Sequence, residues 1–255
     1  MALDIYSGTL GRYYTGDWQN RLQVWATAQG LECSVNRKEA EGLDTSELTD
    51  ADMKQMVIDW QKGLQHFLKT QQDLDCSWSE AEDAPYLSDR PDWSAYWLTI
   101  LWALYQEQGE TPFDEVPAGF QLEQDPVFQR RSEEDYESTY PMLNCEADLF
   151  LPIPEAVFLN GADPFGHPVG IASSLVLLDE LKRLNALTWQ ADDAEIASWR
   201  QAYDRTIFSL EDGVPKASKA KPVDRFEEVA KYGFSILYTL TRFAVDHQLP
   251  MRLDW

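Results

Sequence analysis

The sequence predicts an α+β fold, predominantly helical, with about six helices packed against a small antiparallel sheet that includes one β-hairpin. Three observations lead there: long segments whose apolar residues recur every three or four positions, a few short stretches that alternate apolar with polar, and turns marked by glycine and proline. The 255 residues are 44% hydrophobic and include ten tryptophans, ample material for a core. They read as a single acidic globular domain, 1–255, because helices that cannot bury an apolar face alone lie on both sides of each acidic stretch.

Taken in order, Leu3-Asp4-Ile5-Tyr6 alternates and meets Ser7-Gly8, a short strand ending in a turn. Arg12-Tyr13-Tyr14 resumes extended structure. Asp17 caps a helix over residues 18–29, with Leu22, Trp25 and Ala26 on one face and Gly30 ending it. Residues 33–48 are polar and form a loop. Thr49 or Asp50 then caps a helix reaching about Lys69, whose stripe is Met53, Met56, Val57, Trp60, Leu64, Phe67 and Leu68. Pro91 opens a helix to Tyr105 that is apolar nearly all round and so central.

Residues 127–140 read as a helix and 145–151 as a strand. Residues 156–160 and 168–172 flank Gly161-Ala-Asp-Pro-Phe-Gly-His167, the best supersecondary signal in the chain, a β-hairpin. Ser173 or Ser174 caps a helix carrying Leu177, Leu178, Leu181 and Leu184, in which Asp179-Glu180 reads as a solvated face. Residues 194–210 form another helix. Residues 212–222 make a loop with Lys216, Lys219 and Lys221. The last helix runs from about Val223 to His247, Pro250 stops it, and residues 251–255 are a tail that docks.

Forty-four acidic residues against twenty-one basic ones give a net charge of −23. Such a surface repels polyanions, so nucleic acid and anionic membranes are not expected ligands, and a basic protein is the compatible partner. Through Asp125 the chain holds 23 acidic and 8 basic residues, so the charge is concentrated in the N-terminal half. No stretch approaches the roughly 18 apolar residues of a membrane span. The start lacks a basic region followed by an apolar run, so no secretory signal is expected. Cys33, Cys76 and Cys145 are an odd number without CxxC spacing. They suit a reducing cytoplasm better than a disulfide framework or zinc site.

No phosphate loop, GxGxxG, GxSxG or HExxH occurs, and His66, His167 and His247 are scattered, so no metal or cofactor is expected. Three groups remain. Asp4, Tyr6, Arg12, Tyr13 and Tyr14 combine a carboxylate, a guanidinium and phenols that suit a polar ligand or a proton, or simply an Asp4–Arg12 ion pair across a hairpin. Asp163 and His167 suit an acid–base pair, or turn chemistry alone. The acidic stretches 73–92 and 107–125 interleave carboxylates with aromatics. In the first, Asp73, Asp75, Trp78, Glu80, Glu82, Asp83 and Tyr86 suit a protein-binding face, or a solvated loop whose aromatics tuck into the core.

The opening Leu3-Asp-Ile-Tyr-Ser-Gly-Thr-Leu-Gly-Arg-Tyr-Tyr14, the run Ala84-Pro-Tyr-Leu-Ser-Asp-Arg-Pro-Asp-Trp93 and the run Ser173-Ser-Leu-Val-Leu-Leu-Asp-Glu-Leu-Lys-Arg-Leu-Asn185 resemble a family of uncharacterised bacterial proteins. That likeness is spread over most of the chain and carries no catalytic residues. The size, acidity and missing catalytic motifs are loosely similar to cytoplasmic immunity proteins of bacterial toxin systems. The expected function is thus a stoichiometric acidic protein that neutralises a basic partner. The alternatives are an enzyme or small-ligand sensor with a pocket near the LDIY and RYY segments, and an oligomer-forming structural protein.

Overall fold

A computed structural model describes residues 3–31, 33, 48–133, 135–204, 206–211, 214–219 and 225–254. Its centre is a six-stranded sheet of order β2-β1-β8-β3-β5-β4. The strands are β1 (Asp4–Ser7), β2 (Leu87–Asp89), β3 (Leu149–Leu151), β4 (Phe158–Ala162), β5 (Pro168–Ser173) and β8 (Met251–Asp254). All neighbours are antiparallel except β3 and β5, which run parallel. The sheet is therefore larger than the sequence suggests, and mixed. The C-terminal tail does more than dock, since β8 is inserted between β1 and β3.

The period of two divides the sheet's faces. Ile5, Phe150, Ala172, Met251 and Leu253 join one core with α4 (Trp93–Gln108), α7 (Ser174–Leu187) and α9 (Phe226–His247). Leu149, Leu151, Val169 and Ile171 join a second core with α1 (Leu10–Thr15) and α3 (Asp50–Gln71). Helices thus cover both faces of the sheet. The α4 helix is buried along most of its length, as its all-round apolarity predicts. It crosses α9 at Gly233, where a Cβ would overlap the Ala95 carbonyl oxygen and Thr99 Oγ1.

Several local expectations change. Arg12-Tyr13-Tyr14 is helical, because Thr9 caps α1 by accepting from the Arg12 N–H and Gly16 ends it at φ 77°. The second helix, α2 (Arg21–Ala28), starts at a capping box of Asn20 and Gln23 rather than at Asp17. The acidic stretch 73–92 contains β2. Residues 127–140 hold only α5 (Pro126–Arg130), capped by Asp125, before α6 (Pro141–Asn144). The helix expected over 194–210 ends early, as α8 (Asp193–Tyr203). Its remainder becomes β6 (Thr206–Glu211), which pairs antiparallel with β7 (Val214–Lys219) in a second, two-stranded sheet where a loop was expected. The loop over 33–48 lies almost entirely outside the described residues.

Candidate functional site

Two of the sequence's candidate groups converge. The hairpin β4–β5 turns through Asp163, whose Oδ1 accepts the backbone N–H groups of Phe165 and His167 at 2.9 and 3.0 Å. Its Oδ2 accepts the Tyr14 hydroxyl at 2.8 Å and lies 3.1 Å from His167 Nδ1. A carboxylate only accepts, so Nδ1 is the ring nitrogen that donates here, and in the neutral ring that leaves Nε2 as the acceptor. The Asp163 side chain is 1% exposed and the His167 side chain 21%, so a partly exposed ring is held by a buried anchor. Burial, with the Asp163 carboxylate alongside, pushes the Tyr14 phenol well above its ordinary value and keeps it a donor.

Arg252 belongs to this constellation and was not expected. It opposes Tyr6 in β1 and Leu149 in β3, so its side chain leaves the sheet on the α1 face. Its Nη2 is 3.9 Å from Asp163 Oδ2 and its guanidinium lies over the Tyr13 ring at 5.7 Å. Its Nε and Nη1 are buried without a hydrogen-bond partner among the described residues. The one hint in sequence is that Met251 and Leu253 alternate around Arg252.

The rest of the first group goes elsewhere. Asp4 does not pair with Arg12. It takes a two-point fork from Arg90 and a 3.0 Å bond from Asn20 Nδ2. Next to it, buried Asp89 lies 2.5 Å from Arg200 and 3.5 Å from Arg21, which also binds Asp204. Tyr6 is fully buried and donates to the Thr9 carbonyl, so it lines no opening. Arg12 donates to the carbonyls of Ala84 and Glu82 at 2.5 and 2.8 Å and covers the Tyr86 ring.

The first acidic stretch is held in place. Residues 73–82 run antiparallel along α3, tied by Lys69 to Asp75 (3.0 Å), Gln61 to the Trp78 carbonyl (2.9 Å) and Lys54 to Glu82 (2.8 Å). Trp78 is buried, and Glu80 is spent inside: it accepts the Leu10 and Gly11 N–H groups at the start of α1 and the Trp78 indole. Burial raises the Glu80 pKa against those bonds. Trp78 and Glu80 are therefore structural. Asp73, Asp75, Glu82, Asp83 and Tyr86 stay exposed, and Asp17 and Asp50, also exposed, act on Lys54 beside Glu82. In the second stretch, Asp125 caps α5 and Glu107 is bound by Tyr136, Ser138 and Thr139.

Glu180 is not on a solvated face. It is 1% exposed and accepts the Met142 and Leu143 N–H groups, and burial raises its pKa to about 7. The cysteines are free, and burial lifts the Cys76 thiol to about 12 and Cys145 to about 11. Among the described residues no group of three or more His, Cys, Asp or Glu is placed to hold a metal, and no helix is long and apolar enough to cross a membrane. Compared with known proteins, the chain matches no family description, no curated protein and no solved structure.

Proposed function

We propose that the chain is an acidic binding protein that covers a basic partner stoichiometrically, in the manner of an immunity or inhibitor protein acting in a reducing cytoplasm. The observation that carries this reading is the segment 73–82, fastened along α3 with Asp73, Asp75, Glu82 and Asp83 turned outward. Preorganised carboxylates speed encounter with a cationic surface and lose nothing to ordering on binding. The tying lysines Lys54 and Lys69 do not cancel this field, since exposed ion pairs are weak and carboxylates outnumber cations there. Half-exposed Tyr86, stacked on Tyr6 and covered by Arg12, supplies a rigid aromatic anchor inside the rim.

The test is affinity capture with wild type and a Glu82→Lys/Asp83→Lys variant, followed by association kinetics on the captured protein. A basic partner bound one to one, whose association slows about tenfold and loses salt dependence in the variant, supports the reading. Equal kinetics for both proteins sinks it.

A second reading, a small-ligand or enzymatic site, is favoured by the meeting of Tyr14, Asp163 and His167 from distant parts of the chain. Asp163 orients His167 so that Nε2 faces a ligand as a proton acceptor. Nuclear magnetic resonance of the His167 ring against a panel of polar metabolites checks it. A ring that responds to none of them removes the support.

A further inference from the structure

The β6–β7 hairpin stands apart from the central sheet and is unlike the rest of the surface. A two-stranded ribbon is marginal in water by itself. This one is held at its base: Phe208 stacks on Trp25 of α2 at 5.7 Å under the Arg21 guanidinium, the Thr206 N–H donates to Asp204, and α2 packs against β7. Ile207, Leu210 and Val214 are 47%, 50% and 57% exposed, which places three of the large apolar side chains on the surface within one short hairpin. We infer that the free edge of β6 is the seam of a dimer, in which β6 of one copy pairs antiparallel with β6 of a second copy about a two-fold axis.

The pairing register identifies the open edge. Two residues separate the strands, so Glu211 and Val214 close the hairpin as a mutually bonded pair, and bonded pairs recur at Ser209–Lys216 and Ile207–Ser218. The alternate residues Thr206, Phe208 and Leu210 turn their backbone groups away from β7. On the other strand Pro215 has no N–H to offer, which blunts the outer edge of β7. The Thr206 N–H is taken by Asp204 at 2.9 Å. What β6 presents is the N–H and C=O of Phe208, those of Leu210, and the Thr206 C=O.

A two-fold axis at Phe208 uses these groups well. Phe208 bonds its own copy reciprocally, and each Leu210 N–H meets the opposite Thr206 C=O. Charge argues for the same surface. The chain carries −23, so two copies meeting through the α3 face oppose like charges, whereas residues 206–219 hold two acidic and two basic residues. Within the hairpin Glu211 is already paired with Lys216, so a second copy meets no uncompensated carboxylate at that end of the seam. A strand with an open backbone edge, apolar exposed residues and a local net charge of zero fits its own copy best. This dimer is independent of the proposed basic partner, because the hairpin is a different element from α3 and its acidic segment.

Sedimentation equilibrium of the full chain from low to high micromolar concentration tests the seam. The expected result is a monomer–dimer equilibrium that Leu210→Pro weakens at least tenfold. That substitution removes an outward N–H and leaves the ladder to β7 untouched. Circular dichroism and thermal melting check the fold. If Leu210→Pro melts early, Ile207→Lys carries the test, since it places like charges on the solvent side of the seam. Wild type that remains monomeric throughout overturns the proposal, as does a dimer whose dissociation constant neither variant changes.

Discussion

Arg90 grips Asp4 at two points, Nε to Oδ1 at 2.7 Å and Nη2 to Oδ2 at 2.8 Å, which locks the loop after β2 onto the neighbouring strand β1. Both side chains are largely buried. A buried pair is weak evidence of net stability, but removing one partner strands the other charge. Arg90→Met is therefore expected to destabilise by about 3–5 kcal/mol, read from urea unfolding. Asp4→Asn with Arg90→Met should recover much of the loss, because no uncompensated charge remains. A double variant no better than the single one contradicts the electrostatic account.

How legible these features were follows from their range in sequence. The stripe in α3 and the apolar run of α4 are local, and both helices stand where they read. The β4–β5 turn is local too, with Asp163 supplying its own turn bonds. By contrast β2 and β8 are three and four residues long and exist only through partners eighty or more positions away. No periodicity can announce them. The same holds for the candidate site. Tyr14, Asp163 and His167 were visible as chemistry, but their meeting, and the presence of Arg252, depends on β8 lying between β1 and β3. Asp179-Glu180 looked like a charged surface because nothing local shows that α6 presents two N–H groups to Glu180.

Glu180 makes stability fall as pH rises. Burial holds its carboxyl at about 7 in the folded chain against an ordinary 4.5, while two N–H bonds oppose that shift. Below pH 4.5 both states are protonated and the group contributes no difference. Between 4.5 and about 7 the unfolded chain gives up the proton first, so folding takes one up and stability declines. Over that window the loss is on the order of 3 kcal/mol. Glu180→Gln removes this slope, so the variant should gain on wild type from pH 5 to pH 8 in urea melts. Parallel curves for the two proteins contradict it.

Cys76 and Cys145 should resist alkylation while the chain is folded. Their thiols are lifted to about 12 and about 11 by burial, which leaves almost no thiolate at pH 8. Iodoacetamide labelling read by mass spectrometry is expected to proceed slowly at both positions and to accelerate by at least about tenfold in urea. Rapid labelling of the folded protein at Cys145 would show an activated thiol and reopen nucleophilic chemistry there.

Two helical glycines should respond to alanine with opposite signs. At Gly233 a new Cβ overlaps the Ala95 carbonyl oxygen, and Thr99 Oγ1 beside it is committed to the carbonyls of Ala95 and Ala230. Backbone oxygen in a buried helix cannot step aside, so α4 and α9 must separate. Gly233→Ala is expected to cost about 1–3 kcal/mol or more. Gly63 lies within α3 with nothing within 4 Å of its would-be Cβ, so helix propensity alone acts there. Gly63→Ala should stabilise by about 0.5–1 kcal/mol. Thermal melts of both variants decide the point: if Gly233→Ala melts with wild type, α4 and α9 do not cross as closely as their backbones lie here.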